Sequence, residues 1–442
     1  MLLLNVSDIH FHHPICNSQM DPDRPFRTRL IQDARARVAE LGNVDAILVG
    51  GDIAFAGLAE EYEAAYVWLI DLATACGCPL ERIYVIPGNH DVHRTTAGND
   101  LSVRNVHRAI AGASQDNREK ELRDQFAHPD TGQALMRPIA AYNEFAARFS
   151  CQVYTPEKLF WHQDLPLDDH TTLRIFGLTS TLLSGANGQN DARLSLYLSP
   201  LQTVLDPVDG VVNLVMCHHP PDWLMDQEAV EDAICGRSML HFFGHKHRQR
   251  IHRDHHFVRF SAGAVNPDRN EPGWEPGYNI VKISIVHQDG HRYLDVDAHL
   301  RVWQTNPELF RAKMASDAES VYHHRMRLPD LPSGSATHTA SKTVPLALTQ
   351  TTATAASREA PSGVVEMEIT MSDRDTRNLV LRFWDLASSQ RREIALELGL
   401  LEPSEMTQLP EPERYGRAFS RAGERGLLER IAEEIEKREG RQ

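Results

Sequence analysis

The sequence has no long apolar run: none approaches the about 18 residues that a membrane-spanning helix needs. Its first residues, MLLLNVSD, lack the basic segment, apolar core and cleavage site of a signal peptide. The six cysteines are scattered, and only Cys76 and Cys78 lie close together, which favours reduced thiols over a disulfide framework or a zinc site. We therefore expect a cytoplasmic protein with no membrane partner.

Positive charge is scarce as well. The chain has 46 basic and 61 acidic side chains, a formal net charge of −15, so as a whole it repels polyanions. This counts against tight nonspecific DNA binding. Bound divalent cations would invert the local field, so a nucleotide or nucleic acid stays open as substrate. The 442 residues leave room for one large catalytic domain and a smaller one.

Up to about residue 303, short apolar runs alternate with amphipathic stretches, which is typical of a layered α/β domain. Two helices are predicted between the first strands, over Phe26 to Leu41 and Glu60 to Cys76. The predicted strands are Leu2 to Val6, Ala46 to Val49, Arg82 to Ile86, Arg174 to Leu178, Val211 to Met216, Leu240 to Phe243, Phe257 to Ser261, Tyr278 to Ile285 and Tyr293 to Val302.

Three further segments differ in character from this alternating pattern. Residues 94–150 are polar and include a predicted helix from Pro138 to Phe149; they form either a cap over the site or a surface decoration. Residues 328–363 are rich in Pro, Ser, Thr and Ala and predict a flexible linker. Residues 364–442 carry apolar positions at helical spacing and predict a small all-α domain. The catalytic domain would then span 1–327.

Candidate metal ligands concentrate in five short segments, each just after a predicted strand. In open α/β sheets such segments meet at the carboxyl edge of the strands, so their side chains can converge. Alternate residues of an extended segment share one side, which suits the two D-x-H and H-x-H pairs. Each signal is weak alone, but their joint occurrence predicts a metal site. The segments are Ser7-Asp8-Ile9-His10, Gly51-Asp52, Gly88-Asn89-His90-Asp91, His218-His219-Pro220 and Gly244-His245-Lys246-His247.

This ordered set of motifs resembles the calcineurin-like metallophosphoesterase family over roughly residues 1–303. The resemblance implies a four-layer α-β-β-α sandwich, here followed by the small helical domain. It also implies two metal ions that share Asp52. The first would be bound by Asp8, His10 and His247, and the second by Asn89, His218 and His245.

The resemblance further implies hydrolysis by a metal-bound hydroxide that attacks phosphorus. His90 resembles the family histidine that protonates the leaving oxygen, and Asp91 its orienting partner through an imidazole N–H. The mixed imidazole, carboxylate and amide donors favour manganese, iron or zinc, with manganese preferred. His12, His13, His93, His219 and Arg94 lie beside these motifs and are either substrate contacts or plain surface polar residues.

The substrate class is less defined than the site. After Asp52 the chain reads Ile53-Ala54-Phe55-Ala56-Gly57, without the Asp and Arg of phosphoprotein phosphatases. This favours a phosphodiesterase acting on a nucleotide or nucleic acid. The alternatives are a phosphomonoesterase or phosphoprotein phosphatase, or a non-catalytic scaffold that uses its metal site to bind a ligand.

The C-terminal segment has a second resemblance. Phe383-Trp384-Asp385-Leu386, Arg391 to Ala395 and Tyr415 to Phe419 resemble small helical adaptor domains of bacterial GTPase-associated and effector-associated proteins. The resemblance implies a protein partner bound through residues 364–442. A helical bundle that merely caps or dimerises the enzyme is the alternative.

Overall fold

A computed structural model describes residues 1–153, 158–267 and 274–331, and, further on, 379, 382, 383, 386, 388–401 and 411–439. The chain divides into two compact units, Met1–Ser341 and Lys342–Gln442. Most of the expected linker, from residue 332 to 363, lies outside the described residues. In the part of the chain that the structure describes, no helix is long and apolar enough to cross a membrane.

The first unit contains a seven-stranded mixed sheet in the order β12-β11-β10-β1-β2-β3, with β13 also paired to β11. Strands β1, β2 and β3 are parallel, and β10 to β13 add to them in antiparallel fashion. The strands are β1 Leu2–Val6, β2 Ala46–Val49, β3 Ile83–Val85, β10 Gly277–Gln288, β11 His291–Thr305, β12 Glu308–Ala312 and β13 Tyr322–Arg327.

A second, six-stranded sheet has the order β4-β5-β6-β7-β9-β8. Its four inner strands are parallel, and β4 and β8 close the two edges in antiparallel fashion. The strands are β4 Trp161–Pro166, β5 Thr172–Gly177, β6 Val211–Cys217, β7 Leu240–Phe243, β8 Arg250–Arg253 and β9 Val258–Ser261.

The side-chain alternation of the second sheet defines the layers. On β6, Leu214 and Met216 belong to the main hydrophobic cluster, which also holds residues of the first sheet and of the helices that flank it. Val215 and Cys217 point to the opposite face and pack with Ile234 of helix α8. The helices of this unit are α1 Arg24–Leu41, α2 Ala59–Cys76, α3 Arg94–Asn99, α4 Leu101–Gly112, α5 Gln115–Ala127, α6 Pro129–Met136, α7 Ala140–Ala147 and α8 Gln227–Arg237.

The fold class expected from the sequence is confirmed, and most predicted strands lie within one to three residues of the observed ones. Strands β4, β8, β12 and β13 have no counterpart among the strands predicted from the sequence, and the last two extend the first sheet beyond residue 303. The segment 94–150 contains more helices than expected, α3 to α7, and its residues Val103, Ile110 and Phe126 form a hydrophobic cluster with residues outside the segment such as Leu182 and Tyr197.

The second unit is helical, with α9 Ser388–Glu397, α10 Glu411–Glu424 and α11 Leu428–Glu439. Its core contains most of the apolar positions that the sequence analysis placed at helical spacing. Phe383 contacts Tyr415 and Phe419 edge to face, with ring centroids 5.2 and 5.1 Å apart. The small all-α domain is therefore confirmed in the described residues. The core residues are Leu379, Phe383, Leu386, Ile394, Ala395, Leu400, Leu401, Tyr415, Ala418, Ala422, Ile431 and Ile435.

Trp161 joins the two sheets of the first unit. It lies on β4 of the second sheet, and its indole Nε1 donates to the Val85 carbonyl of β3 in the first sheet at 3.1 Å. Gly177 is its direct partner in the β4–β5 ladder, and a Cβ atom there would overlap the indole ring. The absence of a side chain at Gly177 thus makes room for the bridging tryptophan.

We expect Gly177→Ala to destabilise the first unit by about 3 kcal/mol, because overpacking displaces the buried indole and strains its hydrogen bond. Urea unfolding monitored by tryptophan fluorescence measures the change. Gly112→Ala is the matched control, since nothing lies within 4 Å of its added Cβ atom; it should change stability by less than about 1 kcal/mol. Equal midpoints for Gly177→Ala and the wild type would contradict this account of the sheet contact.

Candidate metal centre

The seven predicted ligands all follow the carboxyl ends of strands. Asp8 and His10 come after β1, Asp52 after β2 and Asn89 after β3, which are parallel neighbours in the first sheet. The other three, His218, His245 and His247, follow the parallel strands β6 and β7 of the second sheet. The site therefore lies where the same ends of both sheets meet.

Five of these seven residues have a left-handed backbone, with φ between 51° and 66°: Asp8, His10, Asp52, His245 and His247. Such a conformation is uncommon for residues with a side chain, and it costs on the order of 1–3 kcal/mol at each position. Glycines give these turns their space. A Cβ atom at Gly88 would overlap the Asp52 carboxylate, and one at Gly244 would lie 2.8 Å from His218 Nδ1.

The Asp52 carboxylate joins the two halves of the site. It is 1% exposed, and its Oδ2 atom lies 3.4 Å from His10 Nε2 and 3.3 Å from His218 Nε2. Its other oxygen, Oδ1, accepts the backbone N–H of His90 at 2.7 Å. One carboxylate thus contacts a histidine from each sheet.

On one side of Asp52, a cluster forms from Asp8, His10 and His247. With Asp52, their ligand atoms all lie within 4.8 Å of one another. The Asp8 Oδ1 atom lies 3.2 Å from His247 Nε2 and also accepts the backbone N–H of His245 at 3.2 Å. These are the residues that the family resemblance groups around the first metal.

On the other side of Asp52, Asn89 lies between two imidazoles. Its Oδ1 atom is 3.2 Å from His218 Nε2 and 2.8 Å from His245 Nδ1. The histidines 218, 219 and 245 place one ring nitrogen each within 4.8 Å of the others. The resemblance groups Asn89, His218 and His245 around the second metal.

The donor set fits divalent cations. The Asp8 Oδ2 atom is buried and no hydrogen bond reaches it in the described part of the chain, although an unpaired buried carboxylate oxygen is costly. Oxygen and imidazole donors mix on both sides of Asp52, which suits borderline ions such as manganese, iron and zinc. The two clusters together could hold two such ions.

Backbone carbonyls orient two of the candidate ligands. His10 Nδ1 donates to the Asn266 carbonyl at 3.1 Å, and His218 Nδ1 donates to the Gly50 carbonyl at 2.8 Å. Because a carbonyl only accepts, each Nδ1 carries the proton and each Nε2 faces the site. Outer contacts of this kind fix the tautomer of metal-binding histidines.

The electrostatics of the site favour anionic carboxylates. Burial raises the pKa of Asp8, but the hydrogen bond and charge of His247 outweigh it and lower the pKa to about 2. Burial disfavours the charged form of His218, yet the neighbouring Asp52 raises its pKa to about 9. Burial and then the charge of His218 lower the pKa of His245 to about 3. The negative charges thus favour the protonated form of His218, and a metal cation bound there would displace that proton.

His90 lies at the open side of the site. Its ring centroid is 4.8 Å from that of His10, and its Nδ1 donates to the Phe55 carbonyl at 2.8 Å. The backbone contact with Asp52 and the contact with Phe55 hold the imidazole in place, and among the described residues no hydrogen bond to its Nε2 is found. This is the position expected of a group that exchanges a proton with substrate.

Asp91 does not hold His90 in the predicted way. The Asp91 carboxylate is fully buried and accepts the Tyr62 hydroxyl at 2.9 Å and the backbone N–H groups of Gly88, Ile53 and Ala54 at 2.8 to 3.2 Å. The prediction that it orients His90 through an imidazole N–H is therefore wrong, since the Phe55 carbonyl takes that contact. Asp91 instead ties the Asp52 turn to the Asn89 turn.

His219 is one of the five residues beside the motifs that could be either a substrate contact or a plain surface polar residue. It is fully buried, its Nδ1 lies 2.8 Å from Ser180 Oγ, and its ring packs 4.6 Å from that of His245. Its position directly after His218 was the only sequence signal. Within the described residues, no hydrogen bond reaches its Nε2.

The other flanking residues have contacts of their own. His93 Nδ1 lies 2.7 Å from Thr96 Oγ1, and Arg94 donates to Asn190 Oδ1 at 2.6 Å. The backbone N–H of His13 donates to Glu61, while the ring of His12 stacks on Phe55. Of these residues, His12 stacks on Phe55, and the ring of Phe55 contacts His10 and His90.

Residues 1–249 match the family model described as calcineurin-like phosphoesterase. This stretch is more than half of the 442 residues, and the chain belongs to that family. Residues 375–437 match the model of the GTPase-associated adaptor domain. Both resemblances noted in the sequence are thus confirmed. No curated protein matches the chain significantly.

Several solved structures are similar at low identity. A single mutant of Vps29 from Entamoeba histolytica is 11% identical, with a TM-score of 0.29, over 74% of this chain and 100% of that one. GAP50 of Plasmodium is 10% identical, with a TM-score of 0.36, over 75% and 90%. A putative 5'-nucleotidase from Staphylococcus aureus is 12% identical, with a TM-score of 0.30, over 64% and 50%. These similarities are too distant to transfer a substrate.

Proposed function

We propose that the chain hydrolyses phosphoesters with two divalent metal ions, and that its substrate is a diester of a nucleotide or nucleic acid. Asp8, His10 and His247 would hold one ion, Asn89, His218 and His245 the other, and Asp52 both. The observation that carries this proposal is the contact of Asp52 Oδ2 with His10 on one side and His218 on the other. Manganese is the favoured ion, with iron and zinc as alternatives.

Two bound ions would supply Lewis acidity at the phosphoryl oxygens and lower the pKa of water toward about 7. The residues of the chain have three tasks around that chemistry. Asp8 and Asp52 provide the negative charge that offsets two cations held close together. In its imidazolium form, His90 would give the Nε2 proton to the leaving oxygen and keep the Nδ1 proton on the Phe55 carbonyl. Burial lowers the pKa of His90, so this form becomes scarcer as the pH rises. Asp91 is a positioning residue, since it fixes the two turns that carry Asp52 and Asn89.

The choice of a diester rests on the sequence after Asp52. After Asp52 this chain reads Ile53-Ala54-Phe55-Ala56-Gly57, without the Asp and Arg of phosphoprotein phosphatases, so this segment adds no charged side chain that could face the doubly negative phosphate of a monoester. A monoester or phosphoprotein substrate is the second candidate. A scaffold that binds a ligand without turnover is the third. Comparing bis-p-nitrophenyl phosphate with p-nitrophenyl phosphate separates the first two.

We expect Asp52→Asn to lose both metal binding and hydrolysis, because an amide removes the shared anionic oxygen. Metal analysis after dialysis against manganese should fall from about two ions per chain to one or none. Turnover of bis-p-nitrophenyl phosphate should fall by at least about 100-fold. Asp289→Asn is the matched control, since Asp289 also has a positive φ, of 54°, but lies at the turn between β10 and β11. Full activity without bound metal would sink the proposal.

We expect His90→Gln to slow hydrolysis by about 10²- to 10⁴-fold for substrates whose leaving oxygen needs a proton. The loss should be much smaller for p-nitrophenyl esters, because p-nitrophenolate leaves without protonation. Metal content should stay at the wild-type value. Equal losses for alkyl and p-nitrophenyl diesters would instead indicate that His90 has only a structural part in the site.

We further propose that residues 364–442 bind a protein partner and, through the linker 328–363, hold it near residues 1–327. The match of residues 375–437 to an adaptor domain supports this reading. Deletion of 364–442 should remove copurifying partners and leave hydrolysis of small diesters intact. An unchanged set of partners together with an unchanged cellular phenotype would favour a domain that merely caps or dimerises the enzyme.

A further inference from the structure

Four aromatic rings lead from the buried centre of the site to its surface. The centroids of His10 and His90 are 4.8 Å apart, those of His90 and Phe55 are 5.1 Å apart, and those of Phe55 and His12 are 4.3 Å apart. The last pair is stacked, with 27° between the ring planes. His10 is 8% exposed and Phe55 is 42% exposed, so solvent exposure of the rings increases from the centre of the site toward the surface.

The exposure of Phe55 is unfavourable in the free protein, because burying a large apolar ring away from water lowers the free energy. The backbone of Phe55 is fixed on both sides, and its ring stacks on His12. Phe55 N donates to the Phe11 carbonyl at 3.0 Å, and Phe55 O accepts His90 Nδ1 at 2.8 Å. The same residue that holds His90 therefore presents its own ring to solvent.

Glu61 fixes the loops around these rings. Its fully buried carboxylate accepts the backbone N–H groups of His13 at 3.1 Å, Ala56 at 2.9 Å and Leu58 at 3.1 Å. The first of these groups follows His12, and the other two follow Phe55. Because both loops are fastened to one carboxylate, the rings are arranged before a ligand arrives, which reduces the entropy that binding would cost.

We propose that Phe55 and His12 form a stacking platform for a nucleobase in the part of the substrate that leaves phosphorus. This rests on the proposed function, in which His90 protonates the leaving oxygen. The group attached to that oxygen then lies beside the ring next to His90, which is Phe55. Base stacking on an aromatic ring tolerates every base, so the platform selects nucleosides over alkyl groups without selecting a sequence. The side chains of Phe55 and His12 determine specificity, while only the backbone carbonyl of Phe55 contacts His90 Nδ1.

Two dinucleotides test the platform on the full-length, manganese-loaded protein. One carries deoxyadenosine as the leaving group, and the other carries the same sugar without its base. The wild type should favour the base by about tenfold in kcat/KM, which is about 1.4 kcal/mol, and mostly through KM. Phe55→Leu and His12→Ala should each reduce this ratio toward one, and Phe55→Trp should restore it. Leu101→Ala, at an exposed apolar residue at the start of α4, should keep it.

A binding measurement separates failure of the platform from failure of the proposed function. Calorimetry on the same protein should show deoxyadenosine 5'-monophosphate binding about tenfold tighter than deoxyribose 5-phosphate, with the difference lost in Phe55→Leu. Hydrolysis of both dinucleotides with equal kcat/KM would overturn the platform and leave the phosphodiesterase proposal standing. If neither is hydrolysed, the proposed function fails. Equal binding of the two phosphates would then also overturn the platform.

Discussion

The buried negative charge of Asp52 is the constraint on which the site depends. A carboxylate that is 1% exposed must be compensated, and here histidines from both sheets and a backbone N–H surround it. The burial that would neutralise an isolated carboxylate is outweighed by the charge of His218, so the pKa of Asp52 lies well below its ordinary value. The centre is thus built to hold positive charge.

Two further buried carboxylates support this centre through the backbone. Asp91 accepts three backbone N–H groups and the Tyr62 hydroxyl, and Glu61 accepts three more N–H groups from the neighbouring loops. Charge-assisted hydrogen bonds of this kind are about twice as strong as neutral ones. They can therefore offset part of the strain stored at Asp8, His10 and Asp52. A rigid frame of carboxylates and left-handed turns holds the imidazoles in place.

Much of the fold could be predicted because its core strands are short apolar runs. The strands Leu2–Val6, Ala46–Val49 and Leu240–Phe243 coincide with those expected. Strand β8, whose residues are Arg250, Ile251, His252 and Arg253, is exposed or half-exposed and carries no such pattern. Helix α5 was not predicted because charged residues dominate it, and its two buried positions, Leu122 and Phe126, give only a narrow apolar stripe. Edges and surface helices depend on partners that a local pattern does not specify.

The sequence by itself determined the kinds of donor and their order, because metal chemistry demands particular side chains and the family motif keeps their spacing. The family resemblance already implied how those donors divide around Asp52, and only the tertiary structure shows the contacts within each group, such as the one between Asp8 and His247, which are far apart in the sequence. It also shows that Asp91 accepts hydrogen bonds from the backbone of two turns, and that the Phe55 carbonyl accepts the His90 N–H predicted for Asp91. Such contacts depend on where strand ends meet in space, which spacing along the chain does not encode.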